Sequence, residues 1–360
     1  MKKPQYKRTK QKNRDGMKIA YLPNNNTYIN TLMKEMEKLE IKSSGFPSMH
    51  YATPYNFLKA LWLRVTGYRI FHFHWLYCFP FSWLMKSFIT YLKILGYRTV
   101  WTVHNVLPLD CTAKDIEKTR WFHNHMDWEI VHFKNTISEM EKEIGIDVNP
   151  SKVSLIPHAI LNLYPNNVSK DKARQWLGIK KNKKVLLCFG MMRSNRGYDY
   201  FINALKKLPK DYVGLIVGRP EEKKLAENLK KEAEKLENLR VVAEFVPDKD
   251  LQIYFKAADA VVLPYTRITT SGVVCLAAFF SRPVIVSNLG GMSEIVKPSF
   301  GNLTKPGDTE DLIKNIKNLL KKNHETMGKK FKNDFKSRYS WDNVIRKTKR
   351  TYEKILKDER

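Results

Sequence analysis

The sequence lacks several features that would assign its class at once. Its four cysteines, Cys78, Cys111, Cys188 and Cys275, form no CxxC pair, so we expect reduced thiols in a cytosolic protein. No apolar run reaches the roughly 18 to 20 residues that a membrane-spanning helix needs. The basic residues 1–16 precede no apolar stretch and therefore predict a disordered tail rather than a signal peptide.

Acidic residues are scarce relative to basic ones. The chain has 64 lysines and arginines against 36 aspartates and glutamates, which gives a formal net charge of +28. Such an excess favours an anionic partner, which can be nucleic acid, a membrane surface or a phosphorylated substrate. The 43% apolar content of the 360 residues is enough to fill two domain cores.

Short apolar strands alternate with helical patterns in both halves of the chain. This alternation predicts an α/β protein with two doubly wound domains that have parallel sheets and a ligand cleft between them. The predicted division is an N-terminal domain at 17–163, a linker at 164–170, a second domain at 171–335 and a final helix in 336–360. The predicted strands are 17–22, 70–74, 98–103, 130–131 and 153–156, then 185–189, 213–217, 239–242, 260–263, 284–287 and a short one near Leu303.

The first strand is followed by no glycine-rich phosphate loop, which argues against a dinucleotide site there. A phosphate-binding pattern lies instead at 261–294, where a strand, a polar segment and a buried helix follow one another. Thr269, Thr270 and Ser271 stand where that helix begins, so hydroxyls and free N–H groups would face one point. After the next strand, a Gly-Gly turn carries the carboxylate of Glu294.

A basic loop follows the strand at 185–189. It reads GMMRSNRG and places Gly190, Arg193 and Arg196 beside a turn before a helix. Arginines bind phosphate oxygens through forked donors, and two phosphate-binding strand ends in one domain suit a diphosphate. The alternative is a solvated loop with two ordinary surface arginines.

Two further loops are predicted at the same edge of that sheet. Arg219 follows one strand, and Val246, Pro247 and Asp248 follow the next. An apolar rim with backbone polar groups is what a nucleobase needs, although a plain loop explains the same residues.

Histidines stand at strand ends in the first half: His72 and His74, then His104, with Asp110 a few residues later and His158 further on. Such residues can bind metal, carry protons or donate hydrogen bonds to a sugar. Because no carboxylate lies at zinc spacing, we expect no metal site. His72 and His74 are expected to be satisfied within the fold, and His104 is the candidate functional residue.

Residues 55–69 and 79–97 mix aromatic and aliphatic side chains with lysine and arginine and contain no acid. This composition is typical of helices that lie in a membrane interface. Ordinary helices that pack on the sheet are the alternative, and both interpretations can hold together.

The order of these motifs resembles the GT-B glycosyltransferases of the family 4 type, also called glycosyl transferase group 1. The resemblance covers roughly residues 17–345 and is carried by HFHW, TVHNVLPLD and LIPHA in the first half, and by GMMRSNRG, FVPD, AADAVVLPY and SGVVCLAAFFSRPVIVSNLGGMSEIV in the second. It implies a UDP-sugar or GDP-sugar donor held by the C-terminal domain, an acceptor bound by the N-terminal domain, and a final helix that crosses back to the first domain.

Carried over by position, the resemblance assigns roles to individual residues. Arg193 and Arg196 would grip the diphosphate with Gly190, and His104 would face the donor sugar. The remaining assignments are Thr270, Ser271, Gly272 and Val273 near phosphate or sugar, and Arg219, Val246, Pro247, Asp248 and Glu294 near the base or ribose.

One departure concerns two glutamates that many relatives carry around the buried helix. Ile268 and Leu276 stand in their places, so a retaining outcome cannot be assumed. An inverting enzyme needs a general base, for which Asp110 is the candidate, whereas in a retaining one the leaving phosphate can assist.

We therefore expect a hexosyltransferase that is independent of metal and acts at the cytosolic membrane face. Its expected acceptor is a glycan or lipid-linked sugar in polysaccharide or glycolipid biosynthesis, and no nucleic-acid partner is expected. The alternatives are a catalytically inactive GT-B protein that binds nucleotide, or a basic nucleic-acid-binding protein.

Overall fold

The structure, a computed structural model, describes residues 16–49, 53–76, 79–108, 111–159, 164–268 and 271–358. The predicted basic tail, apart from Gly16, lies outside these ranges, as do Asp110 and Thr270. The described residues form two parallel six-stranded sheets with helices on both faces. The predicted α/β class with two doubly wound halves is therefore confirmed.

The N-terminal sheet has the strand order β2-β1-β3-β4-β5-β6. The second strand, with the sequence KSSG, was missed because it has no apolar alternation; it is an edge strand that pairs only with β1. The six strands are β1 Lys18–Leu22, β2 Lys42–Gly45, β3 Ile70–Phe73, β4 Arg98–Val103, β5 Trp128–Val131 and β6 Val153–Leu155.

Five helices connect these strands. They bury apolar side chains against both faces of the sheet, as parallel sheets require. The helices are α1 Thr27–Glu37, α2 Thr53–Val65, α3 Ser82–Ile94, α4 Ala113–Asn124 and α5 Asn135–Ile144.

The C-terminal sheet has the order β12-β11-β10-β7-β8-β9. Its strand order reverses between β7 and β10, and ligands of open α/β sheets bind at the carboxyl ends of the strands at such a switch point. The strands are β7 Lys184–Phe189, β8 Tyr212–Val217, β9 Leu239–Val242, β10 Ala260–Leu263, β11 Val284–Ser287 and β12 Gly301–Thr304.

The second half contains nine helices among the described residues. None of the helices in the described part of the chain is long and apolar enough to cross a membrane. They are α6 Lys170–Trp176, α7 Tyr198–Lys207, α8 Lys223–Lys235, α9 Leu251–Ala257, α10 Gly272–Phe279, α11 Met292–Ile295, α12 Thr309–Leu320, α13 His324–Tyr339 and α14 Trp341–Lys357.

The last helix returns to the N-terminal sheet, as the resemblance implies. Ser340 ends α13 and caps α14 through its side chain, which accepts from Asn343 N–H, so the chain turns sharply there. Tyr352 on α14 is fully buried, and its hydroxyl lies 2.6 Å from His72 Nδ1 and 3.2 Å from the Tyr21 hydroxyl. The C-terminal helix is thus anchored in the core of the first half.

Candidate functional site

The loop after β7 is fixed to the loop after β10 at the switch point of the C-terminal sheet. Thr266 N–H donates to the Asn195 carbonyl over 3.0 Å, and Asn195 Nδ2 donates to the Arg267 carbonyl over 2.7 Å. The predicted basic loop and the predicted phosphate segment therefore do lie side by side.

Two glycines allow the loops at this edge to approach closely. Gly218 after β8 has a φ of +155°, and a side chain there would collide with the Gly190 carbonyl. Gly197 before α7 has a φ of +69°, and a side chain there would collide with the Pro264 carbonyl. Only glycine fits both the backbone conformation and the available space at these positions.

Arg196 lies over the ring of Tyr265, with its Cζ atom 4.4 Å from the ring centre. Its Nε and Nη1 atoms are buried and have no hydrogen-bond partner among the described residues. Buried donors without a partner are costly, and a ligand with acceptor oxygens would satisfy them. Arg196 is therefore well placed for the predicted phosphate contact.

Arg193 is arranged differently from Arg196. Its Nη2 donates to Glu221 Oε1 over 2.8 Å, and its Nε donates to the other oxygen of the same carboxylate. This two-point ion pair already uses the forked donors that the sequence analysis assigned to the diphosphate. In this conformation Arg193 would have to leave Glu221 before it could bind phosphate.

Among the described residues, space remains beside Gly272 at the N-terminus of α10. Ser271 caps the helix by accepting from Val273 N–H, and its hydroxyl lies 3.4 Å from the Tyr265 hydroxyl. A side chain added at Gly272 would contact nothing within 4 Å among the described residues. Ile268 and Leu276, which replace the acidic pair of many relatives, pack against the apolar core instead.

The residues predicted near the nucleobase occupy the loops after β8 and β9. Val246 is buried in the apolar core, whereas Pro247 and Asp248 are exposed. The exposed Arg219 extends toward Met191, with Nη2 3.9 Å from its sulfur. Arg219 thus contacts the loop after β7 that carries Arg196, and the assignment of these residues to the base stays a prediction.

Glu294 connects the two halves of the molecule. Its two carboxylate oxygens accept from the backbone N–H groups of Lys134, over 3.0 Å, and Asn135, over 2.8 Å, at the start of α5. The N-terminus of a helix stabilises negative charge, and Lys134 supplies no side-chain cap of its own. Because both oxygens are engaged, a ribose contact by Glu294 would require this link to open.

Five histidines gather at the carboxyl edge of the N-terminal sheet: His72, His74, His104, His132 and His158. They lie at or after the carboxyl ends of β3, β4, β5 and β6. These strands are parallel, so their carboxyl ends meet at one edge of the sheet. As predicted, both ring nitrogens of His72 are satisfied within the fold, by hydroxyl groups of α14 and β4.

Three of these rings form a directed hydrogen-bond chain. The Ile156 carbonyl can only accept, so neutral His132 donates to it from Nδ1, over 2.8 Å. His132 Nε2 then accepts from His104 Nδ1 over 3.2 Å, and His104 Nε2 accepts from His74 Nδ1 over 3.0 Å. His74 Nε2 is left buried without a partner among the described residues.

Burial keeps these rings neutral. It lowers the pKa of His132 to about 4, although the bond to the Ile156 carbonyl opposes the shift. Burial together with the nearby His132 lowers the pKa of His158 to about 3. The pKa of His104 lies well below its ordinary value because the ring is buried and has other histidines beside it.

His104 is more enclosed than the sequence analysis assumed. Its ring stacks on Trp75 at 4.5 Å between centres, and both of its nitrogens bond to other histidines. A contact with a donor sugar would have to replace one of these bonds. Asp110, the candidate general base, lies outside the described residues.

Sequence reasoning missed two residues of the site. His132 directly follows the short strand β5, and a histidine immediately after a strand is the same pattern that singled out His104. Tyr265 was noted only as the start of a polar segment. Its role as the platform for Arg196 depends on how the loops after β7 and β10 meet.

Solved structures share this architecture over nearly the whole chain. Sucrose-phosphate synthase from Thermosynechococcus elongatus matches with a TM-score of 0.75 and 16% identity, covering 95% of this chain and 100% of that one. HepE from Anabaena, solved with UDP and glucose, matches with a TM-score of 0.72 and 16% identity over 94% and 100%. At this identity the likeness defines the fold, which is GT-B.

Sequence comparisons define the class more narrowly. The model of the family "Glycosyl transferases group 1" matches residues 169–338. An uncharacterized glycosyltransferase of Methanocaldococcus jannaschii is 26% identical over 233 residues, which is 62% of this chain and 56% of that protein. The chain spans about half the length of the curated relatives it matches.

By fold, then, this protein has the GT-B architecture. Its residues 169–338, which include the Arg196 loop and α10, are similar to the group 1 glycosyl transferases.

Proposed function

We propose that this protein transfers a hexose-type sugar from a nucleoside diphosphate sugar to a glycan or lipid-linked acceptor at the cytosolic face of a membrane. The observation that carries the donor class is Arg196, whose buried Nε and Nη1 lack partners among the described residues beside the open N-terminus of α10. A diphosphate supplies the acceptor oxygens that these donors need.

A UDP-sugar is the favoured donor, with a GDP-sugar as the second choice. The support is indirect: the structural neighbour HepE has been solved with UDP and glucose. In the proposed reaction, the anomeric carbon of the sugar exchanges its bond to the diphosphate for a bond to the acceptor. Its bond to the diphosphate oxygen breaks, a bond to the acceptor hydroxyl forms, and that hydroxyl loses its proton. Arg196 and the start of α10 would stabilise the charge that develops on the departing diphosphate.

The proton acceptor depends on whether the reaction inverts or retains the configuration of the anomeric carbon. Asp110 would take the proton in an inverting reaction, whereas an oxygen of the departing phosphate would take it in a retaining one. Ile268 and Leu276 cannot do so, because neither side chain ionises. Neither route requires a metal ion.

The outer faces of α2 and α3 support a location at a membrane surface. Along α2, Tyr55, Leu58, Trp62 and Val65 recur at helical spacing, and the side chains of Leu58 and Trp62 are 70% and 63% exposed. Trp83 on α3 is 65% exposed. Exposed apolar patches of this kind mark interaction surfaces, and the net charge of +28 favours an anionic one such as lipid.

Binding of UDP, GDP, ADP and CMP, followed by thermal shift, tests the donor class. We expect one diphosphate to raise the melting temperature selectively, because a ligand that binds only the folded state stabilises it. Turnover is then followed as hydrolysis or transfer of the matching nucleotide sugar. Binding without turnover would favour the inactive nucleotide-binding alternative, and no binding of any nucleotide would overturn the donor assignment.

A further inference from the structure

The loops after β4, β5 and β6 bring three imidazoles together at the cleft edge of the N-terminal sheet. We propose that His104, His132 and His158 form a binding site for a divalent first-row transition metal ion such as Zn²⁺. One ring nitrogen of each lies within 4.8 Å of the others. The proposal does not rest on the proposed transfer reaction, and it differs from the expectation that the chain binds no metal.

The separations suit tetrahedral coordination. Zn–N bonds of about 2.0–2.1 Å place two ligand nitrogens roughly 3.3 Å apart in a tetrahedron. His132 Nε2 and His104 Nδ1 are 3.2 Å apart. The three ligand nitrogens lie within 4.8 Å of one another, so His158 would have to move closer to reach the same geometry.

His132 and His158 are each held by a hydrogen bond from the nitrogen that would not bind the metal, as metal-binding histidines usually are. His132 Nδ1 donates to the Ile156 carbonyl over 2.8 Å, and His158 Nδ1 donates to the Ala159 carbonyl over 3.0 Å. Each of these two rings therefore presents the lone pair of Nε2. Tyr28 stacks on His158 at 4.0 Å between ring centres, which further restricts that ring.

His104 completes the set through a change of tautomer. In the hydrogen-bonded chain the Nδ1 hydrogen of His104 points at His132 Nε2, so Nδ1 has to lose that hydrogen before it can bind a metal ion. His104 would then carry its hydrogen on Nε2 and donate to His74 Nδ1, over the same 3.0 Å contact. The hydrogen of His74 would move to its Nε2, which is free of partners among the described residues. The number of hydrogens on the rings does not change.

The donor set and the surroundings indicate which ion fits. Three imidazoles suit Zn²⁺, Co²⁺, Ni²⁺ or Cu²⁺ better than Mg²⁺ or Ca²⁺, which prefer oxygen ligands. Three protein ligands leave a fourth position open. His158 is only half-buried, and His132 lines a cavity of about 270 Å³ between the two halves, so an ion has a route to the site.

The test uses the full chain purified without a polyhistidine tag and freed of metal by chelator and dialysis. Co²⁺ is titrated while visible absorption reports tetrahedral coordination, and Zn²⁺ affinity is measured by competition with a chromogenic chelator. The variants are His132→Gln and His158→Gln. The control is His125→Gln, because His125 is exposed and stacks on Trp121 away from the cluster.

We expect one equivalent of ion per wild-type chain, with affinity at least tenfold weaker in each cluster variant and unchanged in the control. Circular dichroism and melting temperature establish that each variant is folded. If His132→Gln does not fold, the half-buried His158→Gln decides the result. The proposal is overturned if wild type binds no stoichiometric ion, or if both variants bind as wild type does.

Discussion

Arg196 lies over the Tyr265 ring, with its Cζ atom 4.4 Å from the ring centre, while its Nε and Nη1 have no hydrogen-bond partner among the described residues. A cation above an aromatic face is held by the ring's quadrupole, which fixes its position while leaving the hydrogen-bond donors free. The ring is itself buried, and its hydroxyl lies 3.4 Å from Ser271 at the start of α10. The two elements that are predicted to bind phosphate thus both contact one tyrosine.

This arrangement predicts different effects at the two arginines of the loop. Hydrogen bonds to charged groups are worth about 1.5–3 kcal/mol each, so Arg196→Ala should weaken diphosphate binding at least tenfold. Arg193→Ala should weaken it far less, because its guanidinium is already paired with Glu221. Calorimetric titration of each variant with the nucleotide found by the thermal-shift screen measures both effects. Equal losses at the two positions would contradict the distinction.

The link between Glu294 and α5 predicts that one carboxylate limits domain opening. Glu294→Ala removes both acceptors of the Lys134 and Asn135 N–H groups, at a cost of about 1 kcal/mol for a lost helix cap. We expect a larger radius of gyration by small-angle scattering of the ligand-free protein. The control is Glu143→Ala, which removes an exposed carboxylate of α5. Identical scattering of the two variants would show that the link does not hold the halves together.

The exposed faces of α2 and α3 predict binding to anionic vesicles. Burying a large apolar side chain contributes about 1.5–3 kcal/mol, so the combined variant Leu58→Ser, Trp62→Ser and Trp83→Ser should float with vesicles at least tenfold less than wild type. Trp176→Ser is a matched control, since Trp176 is 52% exposed on α6 in the other half. Undiminished flotation of the triple variant would remove lipid from the proposal.

The lysines and arginines of these helices are less suitable targets than their apolar residues. Lys59 donates to the Gly45 carbonyl, Arg64 to the Leu95 carbonyl, and Lys93 forms an ion pair with Asp127. Reversing these charges would disturb the domain itself, so a loss of membrane binding would have two explanations.

Asp259 predicts a pH-dependent contribution to stability. Burial alone would raise the pKa of Asp259, but hydrogen bonds from His324, Lys170 and the Val185 N–H outweigh it and hold the pKa well below its ordinary value. The resulting stabilisation is complete above the unfolded pKa of about 3.9 and is lost as pH falls below it.

Asp259→Asn should therefore destabilise the protein by about 3–5 kcal/mol at pH 7, because Arg174 is left buried without its charge partner. Urea unfolding should give the same difference in unfolding free energy between Asp259→Asn and wild type at pH 7 and at pH 5. This difference should shrink below about pH 4. A difference that already shrinks between pH 7 and pH 5 would point to another group.

The alternation of strands and helices, and with it the presence of two parallel sheets, follows from the amino-acid pattern alone. Strands such as 260–263 and 284–287 are buried on both faces of the sheet, so their residues are almost all apolar. Such a continuous apolar run can be recognised as a strand from the sequence. Ser271 as a helix cap was also readable, because capping is local chemistry. The edge strand Lys42–Gly45 carried no such pattern.

Contacts between residues far apart in the chain could not be predicted without the folded structure. Arg193 and Arg196 look equivalent in GMMRSNRG, yet one pairs with Glu221 and the other lies on Tyr265. The histidines at 104, 132 and 158 form one cluster because parallel strands end at a common edge. Side-chain contacts between distant segments depend on loop conformation and packing, which no periodicity in the sequence specifies.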